Sequence, residues 1–314
     1  MRAADLGRQA TGACHMPAKS HLTRRRFLTL CASAPAMGLA SAARASTQIW
    51  RGQAFGAEVS LELSSDVRQL QQDLDAVVQE LRQIESRFSI YLPSSELSQL
   101  NARGRIAVSE EMHEVLRLVR RVHLVSEGLF DPTIQPLWQA LVEGRDTAEA
   151  RALIGFERVE IGSSHVRLAP GQKLSLNGIA QGYATDRITA LLRRRGYDHA
   201  LVNMGEFRAM GGPYHLGMSD PEAGQLGRLS LTDGAVASSS PGAMRVGDET
   251  HILHPKGGVP LWSTVTVQAS SAALADAVST AFCLMPRNQI ARVCDRLDLG
   301  PVVMVDFEGN LETL

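Results

Sequence analysis

The sequence predicts an α+β protein, because helix-type and strand-type segments follow each other in irregular order, without a repeated strand–helix–strand period. The composition of the 314 residues is that of a globular chain, since 44% are hydrophobic and 21% are charged. A disordered chain needs lower hydrophobicity and a higher net charge. A spanning helix needs a run of roughly 18 apolar residues, and the sequence contains none. We therefore expect mixed sheets with packed helices.

The first 45 residues have the pattern of an export signal rather than of a fold. Residues 23–28 read TRRRFL, residues 28–40 are mostly apolar, and residues 43–45 form a small–x–small cleavage site. Paired arginines before Phe-Leu are typical of the twin-arginine signal, and an ordinary Arg-rich signal peptide is the alternative. We predict a signal peptide at residues 1–45, one domain at residues 46–314, a periplasmic location and export by the twin-arginine machinery.

The net charge and the number of cysteines in residues 46–314 argue against a nucleic-acid-binding protein and against a disulfide-rich fold. The leader holds seven of the 32 Lys and Arg and one of the 33 Asp and Glu, so residues 46–314 carry 25 bases, 32 acids and a net charge of −7. An acidic body argues against nucleic acid as a partner. Only Cys283 and Cys294 follow the leader, which is too few for a disulfide framework. They either pair with each other or are two buried thiols.

Apolar residues that recur at steps of three and four predict four helices. These helices cover residues 66–88, 109–127, 182–195 and 272–285. Ser64 and Ser65 are available as caps of the first helix, Gly128 ends the second, and Gly196 ends the third. Short β-type runs bounded by turn residues predict strands at residues 59–63, 158–161, 200–204, 263–267 and 301–305.

Two segments combine glycine with polar residues where a ligand would need them. Residues 128–133 (GLFDPT) either belong to a binding loop or end one helix and start another, with Asp131 as the cap. Residues 174–183 (LSLNGIAQGY) read as a strand, a glycine turn and a helix start. Such a turn lets backbone amides approach a phosphate, although it matches neither common nucleotide motif.

Two later segments also combine glycine with polar residues. Residues 203–208 (NMGEFR), followed by Gly211 and Gly212, are either part of a site or a strand with a bulge. Residues 251–258 (HILHPKGG) place His251 and His254 three apart, a spacing that metal ligands use. A polar turn is the favoured interpretation, because no further His or Cys is suitably spaced.

Asp276 and Thr280 are the most informative pair, because residues four apart on a helix share a face. Their two oxygen ligands, with a backbone carbonyl from a glycine turn, suit a hard cation such as Mg²⁺. The alternative is that they mark the solvent side of an otherwise apolar helix.

Taken in order, these segments resemble the ApbE family of FAD:protein FMN transferases. The resemblance runs from about Ala54 to Met285. It is carried by residues 55–57 (FGA), 91–101 (YLPSSELSQLN), 128–133 (GLFDPT) and 276–281 (DAVSTA), which are similar to the motifs of that family. The resemblance implies an ApbE-like flavin transferase fold of the α+β class.

The resemblance also implies an activity and a site. The family transfers FMN from FAD to a Ser or Thr hydroxyl of an acceptor flavoprotein, releases AMP and uses Mg²⁺, so we expect an acceptor subunit at the membrane. By position, Gly178, Asp276 and Thr280 would hold the metal, and His251 with Asp276 would be catalytic. The residues implied for the FAD site are Phe55, Tyr91, Leu129, Phe130, Asp131, Ser175, Gln181 and Ile252.

The sequence departs from the family at several of these positions. Gln181 stands at a usual Lys, Glu206 and Phe207 at a usual Gly-Asp, Ser175 and His254 at a usual Asp, and Gly257 at a usual Thr. Two alternative functions follow from these departures. One is a non-catalytic, FAD-binding maturation factor for a respiratory enzyme, and the other is an FAD pyrophosphatase that uses water as the acceptor.

Overall fold

The computed structural model describes residues 47–64 and 67–314. The predicted signal peptide at residues 1–45 and the predicted cap Ser65 lie outside the described residues. The boundary of the domain at residues 46–314 therefore stays a prediction. Within the described ranges, no helix has both the length and the apolar character needed to cross a bilayer.

Eight α-helices occur in the part of the chain that the structure describes, and short 3₁₀ turns lie at residues 132–134, 156–158 and 241–243. The helices are α1 (Val67–Phe88), α2 (Glu96–Arg103), α3 (Glu110–Val125), α4 (Gln135–Val142), α5 (Ala148–Ala152), α6 (Ala180–Arg194), α7 (Ala272–Phe282) and α8 (Arg287–Leu297). Ser109 caps α3 by accepting the Met112 N–H, and Ser271 caps α7 by accepting the Leu274 N–H.

The strands are β1 (Thr47–Ala54), β2 (Ala57–Ser64), β3 (Arg105–Ala107), β4 (Glu160–Ile161), β5 (His165–Arg167), β6 (Ala200–Asn203), β7 (Phe207–Met210), β8 (Tyr214–Asp220), β9 (Gly224–Leu231), β10 (Ala235–Ser239), β11 (Arg245–Val246), β12 (Glu249–Thr250), β13 (Thr264–Ala269), β14 (Val302–Val305) and β15 (Leu311–Thr313). The main sheet has the order β1-β2-β6-β7-β10-β13-β14-β15, and every neighbouring pair is antiparallel. Helices and antiparallel sheets in this irregular order confirm the α+β prediction.

Both faces of the main sheet are covered by apolar side chains. Ala237 on β10 belongs to the large cluster that the sheet shares with α1, α3, α6 and α7. Its neighbour Val236 belongs to a second cluster, which includes Leu216 and Leu231 of the β8–β9 hairpin. Alternate residues of a strand point to opposite faces, so one central strand supplies both cores. The end of β10 is held between these two layers.

The contact between α6 and α7 is unusually close. A Cβ atom added at Gly182 of α6 would lie 2.3 Å from the Ala272 carbonyl oxygen of α7, so only glycine fits there. Asp186 of α6 also accepts the N–H groups of Ala272 and Ala273, at 2.9 and 3.0 Å. These groups begin α7 and have no partner within the helix. Side chains on α7 are therefore placed relative to α6 by backbone contacts.

The four predicted helices are confirmed as α1, α3, α6 and α7, and α6 begins two residues earlier than predicted. The five predicted strands are present, although the run at residues 158–161 is strand only at its end. Cys283 and Cys294 are both free, so the pairing alternative is wrong, and the alternative of two buried thiols holds for Cys283 but not fully for Cys294. Burial raises the pKa of the half-buried Cys294 thiol to about 11.

Residues 203–208 form a β6–β7 hairpin, in which Asn203 pairs with Phe207, so the alternative of a strand with a bulge is wrong and the alternative that they belong to a site stays open. The predicted strand at residues 174–176 is also wrong, because these residues join no sheet. The reason is that their backbone bonds to a side chain: Leu174 N–H donates to Asn101 Oδ1 at 2.7 Å, and Asn101 Nδ2 donates to Leu174 O at 2.8 Å. Asn101 of α2 therefore takes the place of a partner strand.

We predict that Asn101→Ala lowers the free energy of unfolding by about 2 kcal/mol, because it leaves two backbone groups of Leu174 without their partner. Urea unfolding followed by circular dichroism measures this change. Gln99→Ala is the matched control, since it removes an amide on the same helix that bonds near solvent to Ser94 O. Equal unfolding midpoints for the two variants would show that the amide of Asn101 does not hold the segment.

Candidate functional site

A central cleft opens where the end of β10 meets α7. Its walls come from the loop at residues 129–135, the turn at residues 175–178, residues 238–244, the turn at residues 251–255 and one face of α7. The volume of about 1260 Å³ includes the solvent at the open mouth of the cleft, so it bounds the size of a ligand only from above. Apolar side chains form one part of the wall and oxygen-bearing side chains form another, so the cleft suits an amphipathic ligand.

Asp276 and Thr280 face the cleft from consecutive turns of α7. Asp276 is only 3% exposed, so the alternative that this pair marks the solvent side of the helix is wrong. Asp276 Oδ2 accepts the N–H of Gly182 at 3.1 Å, which ties the carboxylate to the close α6–α7 contact. Thr280 Oγ1 donates to the backbone oxygen of Asp276 at 3.1 Å.

Gly178 lies directly against this pair. A Cβ atom at Gly178 would lie 3.0 Å from Thr280 Oγ1 and 3.3 Å from the Phe130 ring, so a side chain would crowd the space that the turn leaves open. The only hydrogen of the Thr280 hydroxyl goes to the Asp276 carbonyl, so its lone pairs remain for a ligand. A carboxylate, a hydroxyl oxygen and a cradle that a side chain would fill form a donor set that fits a hard cation.

The buried Asp131 organises the opposite wall. Its Oδ1 accepts the Thr133 N–H at 2.8 Å, and its Oδ2 accepts the Phe156 N–H at 3.1 Å. Burial raises the pKa of the Asp131 carboxyl, although these hydrogen bonds act in the opposite direction. Asp131 caps a 3₁₀ turn that begins at Pro132, so the predicted helix start is confirmed as this short turn followed by α4.

A second group of potential metal ligands surrounds Asp131. His123, Asp131 and Glu157 bring one ligand atom each to within 4.8 Å of one another. The oxygens of Asp131 already accept hydrogen bonds from the loop, and His123 Nδ1 lies 3.0 Å from Phe130 O. These atoms hold the loop in place, so we assign no cation to this group.

His251 enters the cleft from the turn at residues 251–255. Its Nδ1 lies 3.0 Å from the backbone oxygen of Pro241, which can only accept a hydrogen bond. In the neutral ring the proton is therefore on Nδ1, and Nε2 is the basic nitrogen. His254 is not among the residues that line the cleft, and its Nδ1 accepts the Lys256 N–H at 3.1 Å. The predicted polar turn is confirmed.

Acidic side chains line the cleft without a basic partner among the described lining residues. Asp131, Glu206 and Asp276 line it, and none of the described lining residues is Lys or Arg. Glu206 is 2% exposed and accepts the Ser238 N–H at 3.3 Å. An anionic ligand would meet like charges here unless it arrived with a cation.

Most of the predicted site residues meet in the cleft, but three do not. Those that line it are Leu129, Phe130, Asp131, Ser175, Gly178, His251, Ile252, Asp276 and Thr280. Phe55 instead donates its N–H to Glu85, and Tyr91 is 56% exposed. Gln181 is buried, with its amide against Gly205 and with no hydrogen-bond partner for its Oε1 among the described residues. A role for these three in binding flavin stays a prediction.

Sequence reasoning missed the row of Ser238, Ser239 and Ser240, which lines the cleft at the end of β10. Ser240 Oγ lies 2.7 Å from Thr264 Oγ1, and that hydroxyl donates to Asp220 at 2.6 Å. Although burial raises the pKa of Asp220, hydrogen bonds from Ala223, Ser263 and Thr264 bring it below its usual range. Three serines directly before a proline, after an apolar run, were the available signal.

Comparisons with known proteins agree with this geometry. The family model of the ApbE family matches residues 55–303. A FAD:protein FMN transferase of Klebsiella pneumoniae is 27% identical over 207 residues, which cover 59% of this chain and 66% of that relative. A FAD:protein FMN transferase of Escherichia coli K12 is 25% identical over 297 residues, with 83% and 82% covered.

Solved structures show the same fold. The flavin transferase ApbE of Vibrio cholerae has a TM-score of 0.76 and 22% identity, and the match covers 86% of this chain and 97% of that one. The ApbE protein of Thermotoga maritima also has a TM-score of 0.76, with 24% identity and with 85% and 96% covered.

We predict that the wild-type chain loses stability more steeply than His254→Gln between pH 7.5 and pH 5.5. Burial and the charges of Lys256 and Arg151 hold the pKa of His254 below its usual range, so the unfolded chain binds this proton more readily than the fold. The contribution of His254 to the free energy of unfolding is therefore fully present above the pKa that this histidine has in the unfolded chain. It is lost as the pH falls below that value. A protonated Nδ1 also cannot accept the Lys256 N–H.

Urea unfolding at several pH values measures the two slopes. His215→Gln, which removes an exposed imidazole on β8, is the control for the loss of a histidine. Parallel slopes for the wild type and His254→Gln would contradict this role of the partly buried ring.

Proposed function

The chain belongs to the ApbE family, and we propose that it transfers FMN from FAD to a Ser or Thr hydroxyl of an acceptor flavoprotein, with release of AMP. One observation carries this proposal. The oxygens of Asp276 and Thr280 face an open cleft whose described lining residues include three carboxyl groups and neither Lys nor Arg. The names of the relatives, FAD:protein FMN transferases, support the same activity.

The acidic lining of the cleft favours a diphosphate that arrives with a divalent cation. Two like unit charges 4 Å apart repel each other by about 4 kcal/mol in an environment of intermediate polarity. The diphosphate of FAD would meet this repulsion from Asp276 and Glu206, because the cleft offers it no Lys or Arg among the described residues. We therefore infer that FAD binds together with Mg²⁺.

The proposed ligands of Mg²⁺ are the Asp276 carboxylate, the Thr280 hydroxyl and the carbonyl of Gly178. When bound, the cation would neutralise the charge that develops on the phosphates as the phosphoanhydride bond breaks. Asp276 keeps its orientation through the Gly182 N–H, so this part of the cleft needs no rearrangement to bind.

His251 is the proposed proton acceptor for the attacking hydroxyl. As the acceptor oxygen bonds to the phosphorus of the FMN moiety, the bond from that phosphorus to AMP breaks, and the hydroxyl proton passes to Nε2 of His251. The bond between Nδ1 and Pro241 O holds the ring in the required tautomer. An imidazole is the side chain best suited to take up a proton near neutral pH.

The apolar part of the cleft suits the flavin ring. Leu129, Phe130 and Ile252 line it together with Trp138 and Met244. A flat aromatic ring gains stability by burying its faces against such side chains. We propose that the isoalloxazine packs there, with the diphosphate directed toward α7.

One observation favours the non-catalytic alternative. Gln181 places a neutral amide where the family usually has Lys, and Glu206 adds a carboxylate where the family usually has Gly. Both changes make the surroundings of the diphosphate less positive. A maturation factor that holds FAD, or a pyrophosphatase that uses water, would keep the same cleft.

We predict that the purified protein, given FAD, Mg²⁺ and an acceptor domain, adds the mass of FMN to that domain and releases AMP. Intact-mass spectrometry and nucleotide chromatography measure the two products. Free FMN with AMP would instead support the pyrophosphatase, and bound, unchanged FAD would support the maturation factor. Either outcome would reject the transferase proposal for this chain.

We predict that Asp276→Ala abolishes turnover and the Mg²⁺-dependent part of FAD binding, because it removes the only charged ligand proposed for the cation. Product release and the quenching of flavin fluorescence measure the two effects. Asp295→Ala is the matched control, since it removes an exposed aspartate from α8. Normal turnover by Asp276→Ala would show that the cation is bound elsewhere.

We also propose that the protein acts in the periplasm, on an acceptor at the membrane, after export by the twin-arginine machinery. Arg24→Lys combined with Arg25→Lys should leave the chain in the cytoplasm, because this export pathway depends on the arginine pair. Cell fractionation and immunoblotting measure the distribution, and Arg2→Lys with Arg8→Lys is the control. Unchanged export of the first double variant would point to an ordinary signal peptide.

A further inference from the structure

The hydroxyl of Ser239 lies beside the proposed cation ligands. Ser239 lines the cleft, and its Oγ is 2.8 Å from Ser279 Oγ and 3.4 Å from Thr280 Oγ1. Ser279 and Thr280 are on α7, whereas Ser239 is the last residue of β10. The strand and the helix therefore bring three hydroxyl oxygens together at one wall of the cleft.

The directions of the three hydroxyl hydrogens follow from their partners. Ser279 Oγ and Thr280 Oγ1 lie 3.0 and 3.1 Å from the backbone oxygen of Asp276, which can only accept. Each hydroxyl has one hydrogen, so both of these hydroxyls donate to that oxygen. The hydrogen of Ser239 must then point toward α7, whichever of the two neighbours accepts it. Ser239 and Thr280 are thus left with lone pairs as ligands for the cleft.

We propose that Ser239 is a third side-chain ligand of the cation held by Asp276 and Thr280, and that Ser279 is a positioning residue that orients its hydroxyl. This inference rests on the cation site proposed above. Adjacent oxygen ligands of an octahedral ion are about 3.0 Å apart for Mg²⁺ and about 3.4 Å apart for Ca²⁺, from their usual bond lengths. The 3.4 Å between Ser239 Oγ and Thr280 Oγ1 matches Ca²⁺ and exceeds the Mg²⁺ value by about 0.4 Å, so Mg²⁺ would draw the two hydroxyls slightly closer together.

The backbone of Ser239 is held firmly enough for this role. β10 pairs with β13, where Ser239 lies opposite Val265. The buried thiol of Cys283 also donates to Ser239 O at 3.4 Å. The neighbouring side chain of Ser238 turns to the other face of the strand, where its Oγ lies 2.7 Å from Thr266 Oγ1. Of Ser238 and Ser239, only Ser239 is directed at α7.

Titration of the full chain with Mn²⁺, followed by electron paramagnetic resonance, tests the proposal without relying on turnover. We expect one saturable site in the wild type, a loss of affinity of about tenfold or more in Ser239→Ala, and a smaller loss in Ser279→Ala. Thr189→Val removes a buried hydroxyl that bonds only within α6, so it is the matched control and should bind Mn²⁺ as the wild type does.

The variant Asp276→Ala distinguishes the role of Ser239 from the existence of the cation site. If Asp276→Ala loses Mn²⁺ but Ser239→Ala binds it as the wild type does, the role of Ser239 is refuted and the cation site stands. If the wild type shows no saturable site, or if Asp276→Ala binds normally, the cation site itself is refuted and Ser239 with it.

Ser239→Cys gives a readout that a structural role would not change. A sulfur ligand prefers soft metals, whereas the hydroxyl oxygen prefers hard ones. We expect the ratio of Cd²⁺ to Mn²⁺ affinity to rise by about tenfold or more in Ser239→Cys. An unchanged ratio would show that the side chain at position 239 does not touch the ion.

Discussion

The close contact between α6 and α7 determines the geometry of the whole cleft. Gly182 lets the two backbones approach so closely that no side chain fits between them. The N–H of the same residue bonds to the Asp276 carboxylate, and Asp186, one turn further along α6, holds the first amides of α7. Because backbone atoms make these contacts, the position of the carboxylate depends little on side-chain rotamers. The rest of the site is arranged around it.

The sequence was most informative where a single local interaction decides the structure. The apolar period of α1 and α3 and the spacing of Asp276 and Thr280 were readable, because each depends on residues within one or two helical turns. The serine row and the segment at residues 174–176 were not readable in the same way. Their roles depend on partners far along the chain, Ser279 for Ser239 and Asn101 for Leu174, and no local pattern encodes those contacts.

The departures from the family are physically connected to one another. The amide of Gln181 occupies the space beside Gly205, where a Cβ atom would lie 2.4 Å from its Nε2, and Glu206 follows directly. A neutral amide at position 181 and an acid at position 206 therefore change the same corner of the molecule. Glu206 lines the cleft and Gln181 does not, so only Glu206 adds an acidic group to the lining. The proposed metal ligands, Asp276 and Thr280, keep the residues that the resemblance implies.

The side chain that replaces a strand partner has a consequence for the rigidity of the cleft. The turn that contains Gly178 belongs to no sheet, yet its flank is tied to α2 through the two bonds of Asn101 and to the loop at residues 129–135 through the Ser175 N–H, which donates to Pro132 O at 2.8 Å. The neighbouring side chains of Leu174, Leu176 and Ile179 are fully buried. Segments held by buried apolar contacts and protected hydrogen bonds open only at a high free-energy cost. The turn would therefore keep its shape whether or not a ligand occupies the cleft.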